Sequence, residues 1–367
     1  MKIKMLCRWL GVLTSVALVA GASASQDVPA SRYAVLKDSD GVSALALREA
    51  IDPLFDPALG ETRAVIVMRG GSIVAERYAP GFGPQSRLHS WSIAKTVTGL
   101  LVGILVSDGR LALDDPAPVP AWHQPGDPRA QITLRQLLQM RSGLQHREYW
   151  ISPEPSDLVD MMVGEGARDQ AAFARSKPLV QKPGSTFGYS TATSMILSGI
   201  VTDQIAGAVQ GAQARRDATA RFLAARFTGP LGLTGFMPEY DEAGTFEGGA
   251  MMHMTARDYA RVGELIRLRG KAGERRLVSD QWFDVMLAPS PANPAYGAHI
   301  WTNRASDHSA LFPGQALPSV VGAVGHRGQY MLVSPQQGLT IVRLGVTRDE
   351  QMGALANAMA RLVRRFP

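Results

Sequence analysis

Residues 96–106 run Thr-Val-Thr-Gly-Leu-Leu-Val-Gly-Ile-Leu-Val, with no charged side chain among them. A segment apolar on every side belongs inside a large core. It is bounded by Ser92-Ile93-Ala94-Lys95 before it and by Ser107-Asp108-Gly109 after it, a normal helix stop. The pattern predicts a buried helix with Ser92 and Lys95 at its N-terminus. Residues three apart share one helix face, so the hydroxyl and the amine can touch. The partial positive charge of a helix start disfavours an ammonium, and desolvation pushes the lysine pKa down as well. A neutral lysine beside a serine can take its proton and make a nucleophile. Spacing alone leaves another reading open, a serine that caps the helix followed by a solvated lysine.

Residues 1–24 have the layout of a secretory leader: Lys2, Lys4 and Arg8, then an apolar stretch from Trp9 to Ala20, then Ala22-Ser23-Ala24. The apolar stretch is too short for a confident membrane span, so no stable span is expected once the leader is cleaved. Cys7, the only cysteine, lies within it, leaving no thiol, disulfide or cysteine metal site beyond it. Export without disulfides points to a bacterial periplasmic or secreted location. Loss of the leader's three cations, with no acids, takes the formal charge from +6 to +3. That balance is mild and the arginines are scattered, so nucleic acid is not an expected partner.

The rest of the chain is long enough to bury a large core. Residues 41–54 carry helical spacing. Residues 64–68 and 72–78 are β-rich runs flanking Gly70-Gly71 and read as an antiparallel hairpin. From 114 to 287 the pattern is mostly helical, with helices expected at 134–140, 155–163, 169–176, 191–205, 215–227, 255–269 and 279–287. Strand character returns at 299–302, 320–321, 330–333 and 339–344, and a helix over 350–365 closes the chain. Strands at both ends and helices between them imply an α+β fold. We expect an antiparallel sheet flanked by N- and C-terminal helices, with a large helical insertion. The expected division is a sheet domain of 25–113 and 288–367 and a helical domain of 114–287.

Two further stretches carry chemistry. In Pro183-Gly-Ser-Thr-Phe-Gly-Tyr189-Ser-Thr191, a turn leads into a tyrosine just before an apolar helix. Held against Lys95, that hydroxyl can shuttle a proton; the plainer reading is a tyrosine filling a corner. In Gly322-Ala-Val-Gly-His-Arg-Gly-Gln-Tyr330, glycines lie beside a strand, and a backbone amide at Gly325 or His326 can complete an oxyanion hole with the Ser92 amide. The plainer reading there is an ordinary hairpin. No Gly-x-Ser-x-Gly elbow occurs. His89, His123, His146, His253, His299, His308 and His326 show no ligand spacing and are expected as satisfied surface or loop residues. No metal or cofactor is expected. The Met251-Met252-Met254 cluster reads as core packing.

Taken in order, these pieces resemble the serine β-lactamase-like hydrolases of the class C type. That group includes D-aminopeptidases, carboxypeptidase-like proteins, esterases and nylon-oligomer (aminohexanoate-dimer) hydrolases. The resemblance rests on Trp91-Ser-Ile-Ala-Lys95, Ser107-Asp-Gly-Arg-Leu-Ala-Leu-Asp-Asp115 and Ile132 through Ser142-Gly-Leu144. It continues with Pro183-Gly184 through Tyr189, Gly248-Gly-Ala250 with Met254 through Arg261, and Gly325-His-Arg-Gly-Gln329 with Pro335. The nylon-oligomer branch is nearest, from the Trp-Ser-x-x-Lys and Gly-x-x-Gly-Gln pieces.

The resemblance implies an acyl-enzyme mechanism on a small amide or ester. Ser92 attacks, Lys95 and Tyr189 move the proton, and the Ser92 amide with a strand amide near Ala323–His326 holds the oxyanion. It also puts Glu148, Tyr149 and Trp150 where relatives often line the cleft, with a plain loop as the other reading. Two departures stand out: Thr191 sits where the family commonly has Asn two positions after Tyr, and the closing strand has no Lys-Thr-Gly. The missing lysine argues against avid β-lactam binding; His326 or Arg327 can offer polar contacts instead. The alternatives are a D,D-peptidase or weak β-lactamase on cell-wall-like substrates, or a non-catalytic protein that keeps the fold. Oligomeric state is not legible.

Overall fold

The computed structural model describes residues 32–149 and 156–367. The expected leader, with Cys7, and Trp150 lie outside the described residues. In chain order the strands are β1 (Arg32–Leu36), β2 (Glu61–Arg69), β3 (Ser72–Tyr78), β4 (Arg87–His89), β5 (Met237–Pro238) and β6 (Met252–Thr255). They continue with β7 (Lys271–Ala272), β8 (Arg275–Arg276), β9 (Trp301–Thr302), β10 (Val321–Gly325), β11 (Gln329–Ser334) and β12 (Leu339–Val346). One antiparallel sheet has the order β1-β3-β2-β12-β11-β10-β9. Its centre joins the two ends of the chain, with Ile66 of β2 opposite Val342 of β12. The β2–β3 hairpin turns on Gly70 and Gly71, both at positive φ, as the Gly-Gly pair predicts.

Side chains alternate across the central strands and feed two cores. On one face Val65, Val67 and Ile341 pack with Leu47 and Ile51 of the helix Ala44–Ile51 and with Leu355, Met359 and Leu362 of the helix Met352–Val363. On the other, Ala64, Ile66 and Val342 pack with Val97 and Leu101 of the helix Ile93–Ser107 and with Tyr259 and Leu265 of the helix Ala256–Arg267. Each fully buried Leu or Ile contributes roughly 1.5–3 kcal/mol, which is why both faces are covered. The fold is thus α+β, an antiparallel sheet with terminal helices on one side and the helix-rich middle of the chain on the other.

The helix Ile93–Ser107 is buried from Ile93 through Leu105, as its lack of charge requires. Gly103 is where Trp282 crosses it: a Cβ there would sit 2.6 Å from the indole. A second sheet, β4-β6-β5, connects to its start. Met252 and Met254 of β6 are fully buried, and Thr255 then caps the next helix in a box with Asp258.

Some expectations are corrected in detail. The strand expected at 299–302 is only Trp301–Thr302, because His299 takes a positive φ of 59°. His299 is not a surface or loop residue of the ordinary kind. It is buried, with Nδ1 2.8 Å from the Leu138 carbonyl and Nε2 3.0 Å from Ser194 Oγ. The helix expected to reach 227 ends at Leu223 and continues as a π-helical turn, Ala224–Thr228. Among the described residues no helix is long and apolar enough to cross a membrane.

Candidate active site

The small sheet fixes where the nucleophile helix begins. After β4, the Ser90 amide donates to the Met252 carbonyl at 2.8 Å, and Ser90 Oγ donates to the Ala250 carbonyl at 3.0 Å. Trp91 then takes a φ of 46°, a conformation that is strained for a bulky side chain. Its ring is held between His89, 4.4 Å away between centroids, and His326, 5.0 Å away. The turn delivers Ser92 to the helix start, yet Ser92 Oγ makes no capping bond. It lies 2.9 Å from Lys95 Nζ. That geometry sets aside the capping reading.

Lys95 is 1 % exposed, so its amine has only protein around it. Besides Ser92 it meets Thr191 Oγ1 at 2.9 Å and the Gly249 carbonyl at 2.8 Å. Burial pushes its pKa down to about 8, against the opposing pull of the Glu148 charge. A buried ammonium is costly, so loss of the proton is within reach near neutrality.

Tyr189 sits just before the helix Thr191–Ala206, which Ser190 caps by accepting from the Thr193 amide. The Lys95 amine stands 5.1 Å from the Tyr189 ring centroid, and the Ser92 hydroxyl lies near enough to the phenol to oppose part of the rise in its pKa. Its ring stacks on Trp301 at 5.5 Å and meets Tyr296 edge-on at 6.0 Å. Burial raises the phenol well above its ordinary pKa, so Tyr189 stays a proton donor at working pH. Ser92, Lys95 and Tyr189 are therefore brought together.

Thr191, at the position where the resemblance leads one to expect asparagine, touches the lysine. Behind it stands Glu148, whose Oε2 accepts from the Thr191 amide at 2.6 Å and whose Oε1 accepts from Thr191 Oγ1 at 2.5 Å. Sequence reasoning placed Glu148 beside the cleft but missed this contact. Tyr149 is 72 % exposed, at the rim rather than in the cluster.

On the opposite side, β10 outruns its edge neighbour. Trp301 and Thr302 of β9 pair only with Gly322 and Val321, so Ala323 to Gly325 extend beyond β9. Gly325 comes so close to the start of the nucleophile helix that a Cβ there would lie 2.7 Å from the Ser90 carbonyl. The following turn is held from beneath. Gln329 Nε2 donates to the carbonyls of His326 at 2.9 Å and Gly345 at 2.7 Å, while Arg343 Nη1 donates to the Gly328 carbonyl at 2.9 Å. His326 is exposed and packs on Trp91, so it borders the site without entering the Ser92–Lys95 cluster. Among the described residues no group of three or more His, Cys, Asp or Glu side chains is placed to hold a metal ion.

A Ser–Lys–Tyr cluster with its lysine buried, beside the edge of an antiparallel sheet, agrees with the family match: the chain belongs to the Beta-lactamase family, whose profile covers residues 51–364. Within it, the chain is similar to the 6-aminohexanoate-dimer hydrolase of Paenarthrobacter ureafaciens, at 28% identity over 236 residues, 62% of this chain. The match spans 57% of that relative's length. Among solved structures, a Bacillus anthracis protein provisionally named a 6-aminohexanoate-dimer hydrolase superposes with a TM-score of 0.67 at 18% identity, covering 86% of this chain and 83% of that one. A family VIII carboxylesterase superposes with a TM-score of 0.65 at 13% identity, covering 90% of this chain and all of the other. The chain is therefore a member of the Beta-lactamase family, similar in sequence to a protein named a 6-aminohexanoate-dimer hydrolase and in fold to a carboxylesterase.

Proposed function

We propose that this protein cleaves small amides or esters through an acyl-serine intermediate, with Ser92 as nucleophile, Lys95 as base and Tyr189 as proton shuttle. The observation that carries the reading is a lysine amine sealed from solvent and 2.9 Å from the serine oxygen. Ser92 gives its proton to Lys95 as Oγ bonds to the carbonyl carbon. The Ser92 amide and an amide from the Ala323–His326 stretch receive the oxyanion. Tyr189 passes its proton to the departing amine or alcohol and takes in exchange the one that Lys95 received, and water then releases the acid. The favoured substrates are short amides of the aminohexanoate-dimer kind or simple carboxylesters. β10 reads Val-Gly-Ala-Val-Gly, with no cation to hold a β-lactam carboxylate, so a D,D-peptidase or β-lactamase ranks second. A non-catalytic protein with the same fold has no use for the intact Ser92, Lys95 and Tyr189 cluster. Cleavage of the leader would place the enzyme in the periplasm or outside the cell.

A fluorophosphonate probe followed by mass spectrometry should place the adduct on Ser92 and lose it in Ser92→Ala. An unlabelled wild-type protein would favour the non-catalytic reading. Rates on p-nitrophenyl butyrate, a short linear amide and nitrocefin then rank the substrates, and faster turnover of nitrocefin would reverse the preference.

A pH dependence follows from the lysine. Only neutral Lys95 can accept the proton, so kcat/KM should fall about tenfold per pH unit below about pH 8 and level off above it. A rate that stays flat from pH 8 down to pH 6 would remove Lys95 from the role of base.

A further inference from the structure

We propose that Glu148 is a positioning residue which, through Thr191, orients the hydrogen bonds around Lys95 so that the amine's lone pair faces Ser92. The inference rests on the acyl-serine reading and adds to it what makes Lys95 act as a base. The argument is a count of donors and acceptors. An ionised carboxylate only accepts, so the 2.5 Å contact between Thr191 Oγ1 and Glu148 Oε1 uses the threonine hydroxyl's single hydrogen. The Thr191 amide can only donate, and it fills the other carboxylate oxygen at 2.6 Å. With its hydrogen committed, Thr191 Oγ1 meets Lys95 Nζ as an acceptor. The Gly249 carbonyl is an acceptor by nature. A neutral amine has two hydrogens, and these two partners take both. The remaining tetrahedral position is the lone pair, and the remaining neighbour is Ser92 Oγ at 2.9 Å. Ser92 is thereby made the donor.

The groups around the amine leave this task to Glu148. Tyr189 presents a ring and a protonated phenol, and burial holds His299 neutral by pushing its pKa down to about 3. The carboxylate comes from the loop after Ser142-Gly-Leu144, and it reaches the threonine at the position where the family's tyrosine motif commonly has asparagine.

Glu148→Gln tests the direction of the network while keeping its shape. The Thr191 amide must still face the glutamine oxygen, so the glutamine NH2 faces Thr191 Oγ1 and turns that hydroxyl toward Lys95. The lone pair is then drawn to Thr191 and away from Ser92. The rate of Ser92 acylation, read with p-nitrophenyl butyrate in single turnover and with the fluorophosphonate probe, should fall about 10–100-fold with KM nearly unchanged. Losing the carboxylate charge should also move the acid limb of the profile to lower pH. Thr191→Val should reproduce the rate loss, Thr191→Ser should recover most of it, and Glu148→Gln with Thr191→Val should be no worse than the poorer single variant. An acylation rate and acid limb in Glu148→Gln equal to wild type, or losses that multiply in the double variant, would overturn the inference. Lys95→Ala separates the two levels: if it acylates normally the acyl-serine reading fails, whereas if it is silent while Glu148→Gln is unaffected only the orienting role fails.

Discussion

Lys95→Ala is expected to slow acylation of Ser92 by about 10³-fold, roughly 4 kcal/mol in the barrier, while the protein stays folded. The loss is large because, among the described residues, no other group beside Ser92 is placed to take its proton. Tyr189 is held protonated by burial, and Glu148 is separated from Ser92 by Thr191 and the lysine. The fold should survive because two costs oppose each other. Truncation leaves a cavity where the four-carbon stem lay and removes a donor from the Gly249 carbonyl, but it also removes an amine desolvated at 1 % exposure. Lys95→Met keeps the volume and should be equally slow, which separates chemistry from packing. Lys95→Arg should be slow as well, since a guanidinium does not give up its proton. Probe-labelling rates measured beside thermal melts decide the matter. Lys95→Met labelled at the wild-type rate would end the base assignment.

The legible parts of this site are those whose signal is local. Ser92 and Lys95 are one helical turn apart in a run whose lack of charge demands burial, so their contact follows from the helical period. Tyr189 is marked by the Pro-Gly turn and the apolar helix behind it. The central sheet is written in the apolar runs 64–68 and 339–344, which face one another as β2 and β12. What could not be read depends on distance or on broken local rules. Glu148 and Thr191 are 43 positions apart and no period links them. Trp91 adopts a backbone conformation its bulk disfavours, held by the surrounding rings, the Ser90 bonds and the Ala94 amide on its own carbonyl. Strands β4, β5 and β9 are two or three residues long, too short for alternation to show. His299 looked like one more solitary histidine, and its burial is set by helices remote in sequence.

Gly325→Ala is expected to lower kcat by about 10²-fold with little change in KM, the mark of a displaced oxyanion donor. The new Cβ would lie 2.7 Å from the Ser90 carbonyl oxygen and 3.0 Å from Gln329 Cβ and Cγ. Neither neighbour can retreat cheaply. Ser90 is tied by three bonds to Ala250 and Met252, and Gln329 is bonded through both ends of its amide to Gly345. The strand end is the part able to yield, because β11 alone pairs with β10 past Gly322, where β9 has ended. The strain should therefore emerge as a shift of Ala323–His326 away from the Ser92 amide, with about 1–3 kcal/mol of lost stability from overpacking. Gly353→Ala is the matched control: it lies in the helix Met352–Val363 and a Cβ there meets nothing within 4 Å, so kcat should hold and stability should rise slightly. Wild-type kcat in Gly325→Ala, with the protein folded, would mean that this strand end does not hold the oxyanion.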